Sequence, residues 1–214
     1  MQAARIIAIR HGETDWNVLG RIQGHTDIGL NPQGQAQAQQ VAQALAGETL
    51  DAVYSSDLLR AWQTAQAIAT AAQVPLHAEP GLRERCFGSF EGGSFAQVTE
   101  QHPEAAMLWR KRDPDFAPPA GGESLRQMQA RIQAAVQRVA QAHLGGHLVL
   151  VAHGGVLDML YRLATRQDLQ APRTWSLPNA AINRLLWTPD SGLALVGWGD
   201  VQHLGGAALQ ESFS

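Results

Sequence analysis

Two apolar stretches of the chain end in the same way. "IIAIRHG" runs from Ile6 to Gly12 and "LVLVAHGG" from Leu148 to Gly155. Neither alternates polar with apolar residues, so each reads as a strand buried on both faces, and each stops at a histidine followed by glycine. Strands of that kind occur in parallel sheets covered by helices, and this constrains the fold more than any other feature of the sequence.

The segments between them fit. "LNPQGQAQAQQVAQALAG" (30–47) reads as a helix with Asn31 as N-cap, Pro32 at its first position and Gly47 as its stop. Its thin apolar side is Ala38, Val41, Ala42 and Leu45. "DAVYSS" (51–56) predicts a short strand. The helix after it, 57–73, is expected to be capped by Ser56 or Asp57 and to turn Leu58, Trp62, Ala65, Ile68, Ala69 and Ala72 inward. "VPLHAEP" predicts a brief third strand.

Capping boxes at "SFAQ" (94–97) and "SLRQ" (124–127) open further helices, the second reaching about residue 142 with Leu125, Met128, Ile132, Val136 and Val139 inward. Pro103 opens another through Trp109. "RDPDFAPPAGGE" predicts a loop able to move over a site. After the 147–152 strand, "VLDMLYRLAT" predicts a helix. "AINRLLWT" and "LALVGW" predict a closing strand pair around "PDSG", and the last dozen or so residues a tail. Strand and helix alternate without repeat or linker, which predicts one α/β domain, 1–214, mostly parallel, with a lid-like insertion at about 86–122.

In such sheets ligands bind at the carboxyl ends of strands, where His11 and His153 both fall. Arg10 precedes His11, Gly12 is expected to let a ligand approach the backbone, and Thr14 and Asn17 add short polar groups. Arg60 falls in the first turn of its helix. A cation there opposes the helix dipole by about 0.3–1 kcal/mol, but with the free N–H groups it makes an anion site. The alternative is a salt bridge to Asp57 or Glu84. Glu84 is flanked by Arg83 and Arg85.

Two histidines, two arginines and a glutamate are what a phosphoryl group asks for. Arg10 and Arg60 offer bidentate cations to its oxygens. A neutral His11, favoured by the nearby arginines, offers a nucleophile. Glu84 offers a proton to the leaving alkoxide and later a base for water. His153, if protonated, offsets charge building on the transferring oxygens.

The stretches "RHGETDWN", "RIQGHTDIGLNPQGQAQA", "YSSDLLRAWQTA", "LRERCFGSFEG", "GGES", "VAHGG" and "NAAINRL" resemble, in order and over nearly the whole chain, the histidine phosphatase superfamily, also called phosphoglycerate mutase-like. The resemblance implies a three-layer α/β/α sandwich with a mostly parallel central sheet. It implies a phosphohistidine on His11 bracketed by Arg10, Arg60 and His153, with Glu84 as proton donor and no metal or nucleotide cofactor. By the same resemblance Asn17, Gln23 and Gly24 line the phosphate or substrate pocket, and Gly154, at a helix N-terminus after His153, is a further substrate-binding candidate.

Within that family, mutases need extra cations to retain an anionic intermediate. Lys111 is the sole lysine, the glutamate motif continues "GSFEGGSFAQV" without one, and only Arg110 and Arg112 could stand in. The expectation is therefore a phosphatase acting on a small phosphate ester, with a cofactor-dependent phosphoglycerate mutase as the alternative. Phe87, Phe90, Phe95, Trp109 and Phe116 pack the lid helices, or tolerate an apolar leaving group if they face the pocket. A metallohydrolase on His11, Glu84 and His153 is disfavoured by spacing and by the arginines, and a non-catalytic phosphoester binder by the presence of His11 and Glu84. The remaining histidines read mostly as surface or packing residues, of which His25 and His203 could approach the rim.

A net charge of −3 gives no reason to expect a nucleic-acid or membrane-surface partner. The lone Cys86 permits no internal disulfide, and the N-terminal apolar run is too short for a signal peptide or membrane span, so the chain is expected in the cytoplasm. Nothing in the sequence specifies an oligomeric state.

Overall fold

The computed structural model describes residues 2–205. Its six-stranded sheet runs β1 (Ala4–Arg10), β2 (Ala52–Ser55), β3 (Leu76–Ala78), β4 (His147–Ala152), β5 (Ile182–Thr188) and β6 (Gly192–Asp200) along the chain. In space the order is β3-β2-β4-β1-β5-β6. The pairs β1–β4, β2–β4 and β2–β3 are parallel, and β5 and β6 add to the sheet antiparallel.

Burial on both faces of β1 explains its unbroken apolar run from Ile6 to Ile9, which follows the exposed Arg5. Ile7 and Ile9 face a cluster built with α2 (Pro32–Ala44) and α3 (Leu59–Ala72), while Ile6 and Ala8 face one built with α6 (Leu125–Ala142) and α7 (Gly154–Thr165). The result is the expected three-layer sandwich. Between α3 and α6 the chain forms α4 (Phe95–Gln101) and α5 (Pro103–Arg110), which share a small apolar cluster of their own around Phe90, Val98 and Ala106.

Asn31 caps α2 with Pro32 at its first position, and Ser94 and Ser124 form capping boxes on α4 and α6. A short α1 (Asp15–Val18), capped by Thr14 with Asn17 in a further box, was not anticipated. The expected cap of α3 is corrected: Leu58 occupies that position with no side-chain bond. Asp57 is instead paired with Arg83 at 2.6 Å, and the Ser56 hydroxyl is committed to a histidine.

Leu58, Ala65, Ile68 and Ala69 are buried as expected on the α3 side, and the buried face is wider than expected. Arg60, Ala61 and Thr64 lie inside, whereas Trp62 is half-buried. The expected C-terminal tail falls mostly on residues outside those described, although Leu204 packs into the α2–α3 cluster. No helix among the described residues is long and apolar enough to cross a membrane.

Candidate active site

Parallel pairing in register brings three strand ends together. Arg10 stands opposite Ala152, so His11 and His153 follow adjacent strands and their ring centroids lie 5.2 Å apart. Ser56 follows β2 on the other side of β4 and reaches His153 Nε2 at 2.8 Å through its hydroxyl.

His11 is held in one tautomer. Its Nδ1 lies 2.7 Å from the carbonyl oxygen of Gly12, which can only accept, so Nδ1 carries the proton and Nε2 keeps its lone pair. Burial, then the Arg60 and Arg10 guanidiniums, hold this imidazole well below the usual histidine range. The arginines act as expected, but burial is the larger cause. Gly12 serves packing more than ligand approach: a Cβ there would sit 2.4 Å from the Gly34 carbonyl oxygen of α2. Its N–H donates to Thr64 Oγ1, which donates in turn to the Arg60 carbonyl, tying the histidine loop to α3.

His153 is buried and likewise pushed well below its ordinary value, by burial first and then by Arg60, His11 and Arg10. It is therefore neutral in the free site, and the conditional expectation of an imidazolium gives way to a neutral imidazole. The Ser56 hydroxyl oxygen also accepts the Leu58 N–H, and the direction of its bond with His153 Nε2 follows the imidazole tautomer. Nδ1 of His153 is buried with no protein hydrogen-bond partner.

Arg60 is fully buried, and burial pulls its guanidinium down to about 10. Its Nη2 and Nη1 donate to the carbonyls of Gly24 and Thr26 at 2.8 and 3.0 Å, while Nε, also buried, has no acceptor. Arg10 is anchored by the Leu177 carbonyl. Because buried N–H groups are normally paired, the orphan Arg60 Nε–H suits an anion.

Glu84 sits across from the histidines. Its Oε1 accepts the Arg85 N–H at 2.8 Å and its Oε2 the Gly155 N–H at 3.0 Å. Its carbonyl accepts from His25 Nε2, so His25 does approach the rim, and from Arg131 of α6. His203 instead meets the Ala180 carbonyl.

Arg10, His11, Asn17, Gln23, Gly24, Arg60, Glu84 and Gly154 all line one cavity of about 490 Å³. His153 alone of the expected site residues stays outside the lining. Asn17 accepts from Thr14 and from Asn179 Nδ2, and Asn179 Nδ2 also holds the His11 carbonyl.

The far wall is Phe87, Phe95, Trp109, Arg110 and Arg112. Three of the five aromatic residues therefore face the pocket while also packing the small cluster, whereas Phe90 and Phe116 belong to that cluster without lining this cavity. Arg112 is in the left-handed region, with φ 52°, held by the Leu169 carbonyl and by Asp158 at 2.6 Å. Among the described residues no three His, Cys, Asp or Glu side chains come together to hold a metal ion.

Ser56, expected only as a possible helix cap, supports the site, as do Thr64, Asn179 and Asp158, to which the sequence assigned no role. Ser56 carried a signal as one of two serines ending a strand beside the rim, and Thr64 and Asn179 lay within stretches that carry the family resemblance.

The model of the histidine phosphatase superfamily (branch 1) matches residues 6–201. Phosphoglycerate mutase-like protein 4 of Arabidopsis thaliana is 38% identical over 94% of this chain and 87% of the relative. Metal-independent phosphoserine phosphatase of the same plant is 38% identical over 99% of this chain and 88% of the relative. Among solved structures, phosphoserine phosphatase of Entamoeba histolytica in complex with 3-phosphoglyceric acid superposes with a TM-score of 0.82 at 30% identity, covering 94% of this chain and 99% of that one. With two histidines on neighbouring strand ends, arginines around them and a family match that spans both strands, this chain belongs to the histidine phosphatase superfamily, branch 1.

Proposed function

We propose that the protein hydrolyses small phosphomonoesters through a phosphohistidine on His11. The observation that carries this reading is the His11 Nδ1–Gly12 bond, which leaves Nε2 as a lone pair at the cavity wall, flanked by buried donors. Nε2 attacks phosphorus and a P–N bond forms. The ester P–O bond breaks, and its electron pair departs on the alkoxide, which takes the proton of a protonated Glu84.

In the second half Glu84, now carboxylate, removes a proton from water as the water oxygen attacks phosphorus. The P–N bond breaks, inorganic phosphate leaves, and His11 returns neutral. Throughout, Arg10 and Arg60 offer a fixed donor set to the transferring oxygens, with His153 packed beside His11, and this set needs no rearrangement as charge builds.

Release to water, rather than return to a second substrate as in a mutase, is favoured by the far wall. It places Phe87, Phe95 and Trp109 where a retained anionic intermediate would need cations, and Arg112 is partly spent on Asp158. Arg110 and Arg112 still fit a carboxylate on the leaving group, as in phosphoserine and 3-phosphoglycerate, the compounds named for the relatives. The 86–122 segment would act as the lid of a single catalytic domain, and the lone Cys86 suits a reducing, cytoplasmic setting.

A panel in EDTA tests the reading: p-nitrophenyl phosphate, phosphoserine, and 3-phosphoglycerate with and without 2,3-bisphosphoglycerate. Phosphate release is expected from the wild type and should fall by at least about a thousandfold in His11→Ala with the fold intact. Conversion to 2-phosphoglycerate without phosphate release would make the protein a mutase instead.

A further inference from the structure

We propose that Glu91 is a positioning residue for the phosphate cradle, acting through the 23–26 loop on Arg60. The inference rests on the phosphomonoester reading above. Glu91 does not line the cavity, yet its carboxylate accepts four hydrogen bonds. Oε1 takes the N–H groups of His25 and Phe87, each at 3.0 Å, and Oε2 takes the N–H and the hydroxyl of Thr26, each at 2.9 Å.

The same loop faces Arg60 from its other side. The carbonyls of Gly24 and Thr26 are the two acceptors that hold the Arg60 guanidinium. The Gly24 carbonyl and the His25 N–H belong to one peptide group. That group therefore has a carboxylate on its N–H end and a guanidinium on its C=O end, an alignment in which each bond polarises and strengthens the other.

Gly24 records how closely Glu91 approaches. It has φ 52°, and a Cβ there would fall 2.1 Å from Glu91 Oε1. Any side chain at 24 would displace the carboxylate. Gln23 and Gly24 form the floor of the cavity beside Arg60, so the carboxylate behind the loop sets where the floor and the guanidinium stand. Through the Phe87 N–H it also ties that floor to the opposite wall. Donor placement at the scale of an ångström decides how well an anion is held.

Glu91→Gln keeps the shape and removes the match. An amide offers one oxygen and two N–H donors, so part of the loop's N–H array would face donors instead of acceptors. Isothermal titration with orthovanadate and steady-state kinetics on p-nitrophenyl phosphate and phosphoserine read the effect, with near-ultraviolet circular dichroism to verify the fold. The dissociation constant for vanadate and both KM values should rise together by about tenfold, with kcat within about threefold, as expected when anion binding alone is weakened.

Thr26→Val removes only the hydroxyl bond and decides the matter should Glu91→Gln not fold. It should raise the same constants by about two- to threefold. Unchanged vanadate affinity in a folded Glu91→Gln, a loss in kcat with KM unmoved, or an unaltered Thr26→Val would each overturn the proposal. A wild-type protein that neither turns over these esters nor binds vanadate would strike the phosphomonoester reading itself, before any variant is made.

Discussion

At Gly155 two residue-level effects oppose each other. Alanine in the first turn of α7 should stabilise that helix by about 0.5–1 kcal/mol relative to glycine. A Cβ there would, however, stand 2.3 Å from Glu84 Oε1 and 3.0 Å from the Met128 methyl. Glu84 would have to swing away and give up the Gly155 N–H at 3.0 Å. Gly155→Ala is therefore expected to melt no lower than the wild type while losing at least about tenfold in kcat on phosphoserine. The loss on p-nitrophenyl phosphate should be much smaller, because that leaving group hardly needs a proton. Paired assays on the two esters with a thermal melt check this, and equal losses on both would detach Glu84 from proton delivery.

Among the elements, α6 shows how a cap reaches the site. Ser124 closes its capping box, and Arg131, two turns further on, binds the carbonyls of Gly81, Arg83 and Glu84 as well as the Glu123 carboxylate. Ser124→Ala should cost about 1 kcal/mol, seen as a Tm lower by about 2–4 °C in a calorimetric scan. Such caps were legible in the sequence because a capping box is local: serine and glutamine three residues apart suffice. The cap of α3 was not, because Ser56 is taken by a histidine 97 residues away. Glu91 and Asp158 escaped for a similar reason, since Thr26 and Arg112, the partners that tie them to the site, lie 65 and 46 residues off along the chain. His11, His153 and Arg60 were legible because strand ends and a helix start place them, whereas the aromatic wall depends on how α4 and α5 pack, which no local pattern encodes.

For the whole molecule, the buried histidines imply a direction for pH dependence. His11 and His153 have folded-state pKa values well below the ordinary 6.5, so below about pH 6.5 the unfolded chain binds protons that the folded one refuses. The stability they contribute is present above about pH 6.5 and is lost as pH falls from there toward the folded values. The loss is about 1.4 kcal/mol per pH unit for each group while it stays neutral in the fold. Thermal melts at pH 7.5 and pH 5.5 should show a clear fall in Tm, and a flat profile would mean that both imidazoles protonate freely in the folded state.

The small apolar cluster of α4 and α5 is separate from the two clusters that flank the sheet. The two histidines hang from the sheet itself, whereas most of the far wall belongs to that outlying cluster. Mutations that repack the outlying cluster can therefore change which alcohol is accepted without disturbing the strand ends. Lineages built on this plan are free to exchange one metabolite for another while inheriting the same bond-breaking chemistry.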